Sequence, residues 1–352
     1  MKVLERALLA GAVLFLGASL VPVGHAQTAA SAQPQFTTLK ADFVPGDRTI
    51  FYDDFSDMTP GDPPPHWKVR GAAPELRAAG EVRQLTFVAS GSLYPNLTGL
   101  PKNFTYEADV KFDAPVGNAQ LYLLLLSKDK DALILGTYVR SNTFDVHLQR
   151  KLPTYEDLAR KRLPVDIGQP VRLALWLQEG RLRVFVNGEK QLDVNQLDDV
   201  PAIDRVELRG APTGAGVAIG LRTVRFAEST PDLGQVIAST GRYVTHGILF
   251  DTDSDRIRPD SAAAIQAIAK ALQASPGLKL LIEGHTDASG GAAHNMALSA
   301  RRADAVKAVL VSQFAIDATR LTTAGLGSTK PIGPNETLQG RAQNRRVELV
   351  RQ

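Results

Sequence analysis

Between Leu278 and Leu310 the sequence changes its apolar period, and that change limits what the chain can fold into. Leu278, Leu280 and Ile282 alternate with Lys279 and Glu283, the pattern of a strand from Leu278 to Glu283. From near Asn295 the apolar residues recur at helical spacing instead, through Leu298, Ala305, Val306, Val309 and Leu310, after a break at Gly290 and Gly291. A strand feeding a helix through a polar loop puts Asp287 just past the strand. It also puts Asn295, Leu298, Arg302 and Val306 on one helix stripe, because residues three and four apart are neighbours. Arg302 therefore sits on a largely apolar stripe, where a partly desolvated guanidinium needs a partner. Asp287 is the nearest candidate. The two make either an internal salt bridge or the poles of a pocket for a zwitterion, with Asp287 meeting an ammonium and Arg302 forking onto a carboxylate. Spacing alone leaves both readings open.

The motifs around this unit narrow the choice. GHTD at Gly284 to Asp287, NMALSARRADAV at Asn295 to Val306, GRAQNRRVEL at Gly340 to Leu349 and ILFDTDSDRIRPDS at Ile248 to Ser261 occur in order. Together they resemble the OmpA-like peptidoglycan-binding domain over roughly residues 234–352. In that family the aspartate of the HTD motif and the arginine of LSxxRA hold the diamino acid of the stem peptide, usually diaminopimelate. The matching positions are Asp287 and Arg302, so the resemblance favours the pocket. It further implies that Thr286, Asn295 and Leu298 shape and hydrogen-bond the stem peptide. Asp253 resembles the acidic position that supports the peptide; its other reading is a helix-start role with Asp260 and Ser261.

Other residues here invite readings that fail. Asp251, Asp253 and Asp255 imitate a calcium loop, but Arg256 and Ala262 stand where an EF-hand needs Gly and Glu. His285 is read as a loop histidine holding backbone. Arg345 and Arg346 fall at the start of a final strand, where alternation sends them to opposite faces, so at most one can serve the pocket. The order strand 243–250, helix 261–275, strand 278–283, helix 295–314, strand 321–325, Gly/Pro-rich loop and strand 345–350 predicts an α/β domain of βαβαβ type with helices on one face of the sheet. Asp260 and Ser261 are placed as the cap of its first helix.

Residues 42–228 have a different character. Short runs of period two, such as Phe104 to Phe112, Leu121 to Leu126, Ala132 to Val139, Thr143 to Leu148 and Val217 to Phe226, are separated by turn clusters, as in an all-β sandwich. Glu179-Gly180 and Asn187-Gly188 are tight-turn signals that make 171–194 a three-stranded meander. IFYDDFSD, a Trp after PGDPPP, LPKNFTYEADVKF and WLQEGRLRVFVNG resemble, in that order, the concanavalin A-like lectin/glucanase jelly roll of laminin-G type. Glycosidases on that fold need paired carboxylates on one strand face. Glu107 and Asp109 share a face, but the third acid of the related glucanases is replaced by Phe112, which leaves the pair as solvated strand residues. Trp67, Trp176, Tyr94, Tyr122 and Tyr138 are the aromatics available for sugar, each with a core reading beside it.

The chain divides into a signal peptide (1–26), a flexible leader (27–41), the concanavalin A-like sandwich (42–228), a linker (229–241) and the OmpA-like domain (242–352). The first segment has a charged start at Lys2 and Arg6, an apolar run and small residues at Gly24 to Ala26. With no cysteine there is no disulfide framework and no lipid-anchored N-terminus. A net charge of +3 without a basic, aromatic-interleaved run gives no case for nucleic acid. The expectation is an exported envelope protein of the periplasm, without a membrane span once the signal is removed. It would bind peptidoglycan of the diaminopimelate type, use no cofactor, and present a sandwich for a glycan or an envelope protein. The rival is a wall-anchored glycan-processing enzyme with the sandwich as its catalytic module.

Overall fold

The computed structural model describes residues 31–352 apart from 40–42, 80–81, 115–116, 129–131, 141–142, 153, 165–167, 196, 198–201 and 230–232. The expected signal peptide lies outside the described residues. Among those described, no helix is long and apolar enough to cross a membrane.

The β region is two antiparallel sheets packed face to face. The first runs Glu189–Val194, Arg181–Val186, Pro170–Gln178, Phe104–Asp113, Ala218–Glu228, Val82–Phe87 and Glu75–Ala79, with Arg48–Asp53 also paired to Ala218–Glu228. The second runs Thr154–Leu163, Thr143–Leu152, Ala132–Arg140, Asn118–Leu126, Arg205–Thr213, Gly91–Pro95 and Trp67–Gly71. Alternate residues of each strand supply the core, as with Leu121, Leu123 and Leu125 from one sheet and Tyr106, Val110 and Phe112 from the other. The meander forms as the turn signals require. Glu179, Gly180, Asn187 and Gly188 all take positive φ, so the two-residue turns follow the right-handed twist of their strands.

The C-terminal domain is a four-stranded mixed sheet in the order Arg242–Thr245, Val347–Arg351, Leu280–His285 and Leu321–Gly327, with only the last pair parallel. Helices Ala262–Ala274 and Ala292–Phe314 pack against it. The sheet admits the longer helix closely because Gly284 and Gly325 are cross-strand partners beneath it. A Cβ on either would meet helix backbone, at 2.2 Å from the Ser299 oxygen or 2.4 Å from the Ala300 nitrogen.

Several expectations are corrected. The described part of the leader, residues 31–39, is bound: Phe36 is fully buried in the C-terminal core, and Gln313 and Gln266 hold its backbone. The segment read as a linker contains helix Leu233–Thr240, whose Ile237 is buried. Ser261 stands at the N-cap position of helix Ala262–Ala274 as expected, but its side chain makes no capping bond; its hydroxyl bonds the backbone of Leu249, while Asp260 pairs with Arg172 and Arg258. The last strand begins at Val347, not 345, because Leu338–Asn344 is a short helix with Arg345 as its C-cap.

The sandwich and this domain touch. Arg172 pairs with Asp260, the Gln343 amide donates to the Thr49 carbonyl at 3.0 Å, and the Arg345 guanidinium stands 5.6 Å from the centre of the Tyr52 ring.

Candidate functional site

Asp287, Arg302, Thr286, Asn295, Leu298 and Asp253 all line one cavity of about 600 Å3. The strand Leu280–His285 delivers Asp287 into the loop above it, and the first three turns of helix Ala292–Phe314 bring Asn295, Leu298 and Arg302 to the same opening. The helical stripe holds: Asn295, Leu298 and Val306 are buried and Arg302 is half-buried on the same side.

Asp287 and Arg302 are not each other's partner. Asp287 Oδ1 accepts the Ser289 N–H at 2.9 Å, and its Oδ2 accepts Arg345 Nη1 at 2.7 Å. Burial pushes the Asp287 carboxyl up, but the hydrogen bond to Arg345 and the Ser289 N–H outweigh it and hold it below its ordinary value. Arg302 donates through Nε to the Ser254 carbonyl at 2.9 Å and lies 4.8 Å from the centre of the Phe250 ring. Burial lowers its pKa, with Asp253 working in the opposite sense. Among the described residues no carboxylate forms an ion pair with Arg302. The internal salt bridge left open by spacing is therefore absent, and the Asp287 counter-ion is a residue the spacing argument passed over.

The remaining four play different parts. Thr286 Oγ1 is buried and has no hydrogen-bond partner, an unmet polar atom in the cavity wall. Asn295 donates its amide to the carbonyls of Asp287 and Ser289, at 3.2 and 2.9 Å, so it pins the loop. Leu298 is a buried apolar patch of the lining. Asp253 holds a left-handed φ of 51° on the opposite lip, with its Oδ1 2.6 Å from His294 Nε2. Asp251 and Asp255 turn to Arg256 and Ser31, so the three acids do not converge on a cation.

Arg345 and Arg346 both reach the cavity lining, against the expectation that at most one would. Arg346 also makes a buried pair with Glu348, its Nη2 2.5 Å from Oε1. His285 is buried on the strand, not in a loop, and its ring nitrogens have no hydrogen-bond partner. Burial and the charge of Arg346 push its pKa down to about 4. Ligand atoms of Glu283, His285 and Glu348 lie within 4.8 Å of one another. Arg242 bridges both carboxylates and Arg346 holds Glu348, so the acids are already neutralised by guanidinium groups and offer a cation little.

In the sandwich, Glu107 is not a solvated strand residue. It is buried and clamped by Arg172 and Arg225. Burial raises its pKa, but the two guanidinium groups outweigh this and hold it ionised, which removes it as a proton donor. Trp67 belongs to the core, donating its indole N–H to Asp53 at 2.7 Å. Trp176 is covered by Phe43 and by the Arg183 guanidinium, 3.7 Å from its ring centre. Tyr122 and Tyr138 meet edge to face at 5.5 Å, and Tyr138 meets His147 at 4.6 Å, on the outer side of the second sheet.

With this geometry in place, comparison with known proteins assigns the domain. The OmpA family matches residues 249–345. Those residues are an OmpA family domain. Its relatives include probable lipoprotein YiaD of Escherichia coli (strain K12), 34% identical over 141 residues, or 39% of this chain and 64% of that protein. Outer-membrane lipoprotein YfiB of Pseudomonas aeruginosa is 41% identical over 103 residues, or 29% of this chain and 61% of that protein. The chain thus spans under two thirds of the length of either. Among solved structures, the peptidoglycan-associated lipoprotein from Burkholderia pseudomallei is 34% identical, covering 30% of this chain and 88% of that one, with a TM-score of 0.28. Among the described residues the OmpA domain follows a larger β-sandwich.

Proposed function

We propose that this is a cell-envelope protein of the periplasmic side that holds peptidoglycan non-covalently, gripping the free end of a diaminopimelate side chain in the cavity of its OmpA domain. The observation that carries the reading is that Asp287 and Arg302 face one open cavity without pairing to each other. An anion and a cation so placed suit a zwitterion: Asp287 takes the ammonium and Arg302 forks onto the carboxylate. Thr286 Oγ1 supplies a waiting hydrogen-bond partner, and Leu298 packs against the methylenes. Asn295 keeps the loop in shape, and Asp253 supports the peptide from the other lip. The envelope names of the relatives agree with this location.

Removing either charge leaves the ligand group it would meet unpaired in a partly dry groove, which costs roughly 2–5 kcal/mol in binding. An Asp287→Ala, Arg302→Ala double variant should stay in the supernatant when the purified chain is spun down with cell-wall sacculi. Normal pelleting of that variant would remove the assignment.

For the sandwich we propose glycan binding on the outer side of its second sheet, where Tyr122, Tyr138 and His147 form an aromatic cluster flanked by polar side chains. A glycan array with the full chain, compared with a Tyr122→Ala, Tyr138→Ala variant, tests this against a protein partner.

A further inference from the structure

The carboxylate that would receive an ammonium group is already engaged, because Arg345 Nη1 donates to Asp287 Oδ2 at 2.7 Å. An ammonium arriving at Oδ2 competes with that guanidinium, and a displaced, partly buried cation needs another partner. Tyr52, which lies next to Arg345, and Asp54, which its hydroxyl reaches, belong to the sandwich. The guanidinium carbon of Arg345 stands 5.6 Å from the centre of the Tyr52 ring, within cation–π range. The Tyr52 hydroxyl donates to Asp54 Oδ2 at 3.3 Å. Burial works against the Arg345 charge, but Tyr52, Asp287 and Asp54 together raise its pKa above the ordinary value. Arg345 thus already feels acceptors on both sides.

The position of Tyr52 is fixed by the sandwich's own pairing. On the first sheet it is the cross-strand partner of Arg225, which is in turn opposite Glu107. Arg225 is held by Glu107, Thr49 and the Gly46 carbonyl. Tyr52 therefore presents its ring to the cavity from a rigid row, and the cavity lining includes both Tyr52 and Arg225.

Resting on the wall-binding reading above, we propose that the sandwich is part of the binding site. Arg345 is the counter-ion that Asp287 exchanges for the ligand ammonium, and Tyr52 with Asp54 receives it. Tyr52 and Asp54 are positioning residues: they need not touch the peptide, yet they ease the vacating of Asp287. The site is then complete only when both domains are present and docked.

The test uses the full chain and one probe, the tripeptide L-alanyl-γ-D-glutamyl-meso-diaminopimelate, titrated by calorimetry. Asp54→Asn and Tyr52→Leu should each weaken binding roughly fivefold, the scale of one cation–π contact or one partly exposed charge pair. In an Arg345→Ala background both substitutions should leave Kd unchanged, because there is no cation left to receive. Arg345→Ala alone should bind as tightly as the native chain or tighter, since Asp287 has lost its competitor. A thermal unfolding midpoint for each variant verifies the fold, and Asp54→Asn, at a partly exposed position, carries the test should Tyr52→Leu not fold. The proposal is overturned if Asp54→Asn has no effect in the native background, if its effect persists without Arg345, or if Arg345→Ala abolishes binding. An Asp287→Asn chain that keeps full affinity, or a native chain that ignores the tripeptide, would instead sink the wall-binding reading beneath it.

Discussion

At the scale of single residues, the groove shows which side chains a sequence can assign and which it cannot. Asp287 and Arg302 were legible because a strand end and a helix stripe fix where they point. Arg345 was not. Alternation treats it as a strand residue, whereas it closes a short helix and takes its direction from that end. His285 reads as a loop residue for a related reason, since the strand continues through it to the edge of the polar loop. Its burial has a measurable consequence. The folded protein keeps His285 neutral, with a pKa pushed down to about 4, and burial likewise pushes His246 down to about 3, against 6.5 for a free histidine. As pH falls the unfolded chain takes up protons first. Stability is therefore full above about pH 6.5 and falls below it, by about 1.4 kcal/mol per pH unit for each histidine. Between pH 6.5 and 5 the carboxylates held below their ordinary values contribute little, whereas Asp53, whose carboxyl burial pushes up to about 6, takes up its proton in the fold below that pH and offsets part of the loss. Urea unfolding over that window should show the loss, and His285→Gln should flatten part of the slope. An unchanged slope would mean that His285 titrates in the fold as it does in water.

At the scale of elements, the strand-to-helix switch at 278–314 and the meander at 170–194 were readable because their period and turn residues agree. Other strands hid. Thr154–Leu163 carries charge on both faces because it is an edge strand beyond the core, so no alternation marks it. Helix Leu338–Asn344 contains Gly340, a poor helix former, and so reads as loop. The glycine is there because a Cβ would meet the Pro334 oxygen at 1.9 Å. Gly284 and Gly325 have the same origin and a larger effect, since they set the depth of the helix that carries Arg302. Gly325→Ala should cost about 1–3 kcal/mol of stability by urea unfolding, as the helix backbone is forced outward. It should also weaken sacculus binding, because Arg302 moves with the helix. Native-like stability would show that the sheet and helix have slack at this contact.

At the scale of the whole molecule, two ordinary folds were foreseeable from the change of pattern near residue 230, but their joint site was not. Nothing in a single sequence reports that Tyr52 stands beside Arg345, since the two are brought together by domain docking and not by any period. The same holds for Phe36, whose apolar ring was lost in a polar leader yet fills the distant C-terminal core. The central claim is that the cavity reads two opposite charges at once. It is tested most directly by comparing two stem peptides that differ only at the third residue, one with meso-diaminopimelate and one with lysine. The first offers an ammonium and a carboxylate at its free end; the second offers the ammonium alone. A charge-assisted hydrogen bond to Arg302 is worth about 1.5–3 kcal/mol, so the diaminopimelate peptide should bind roughly 10- to 100-fold tighter, and Arg302→Ala should erase the difference. Equal affinity for the two peptides, or a preference that survives the loss of Arg302, would contradict the account.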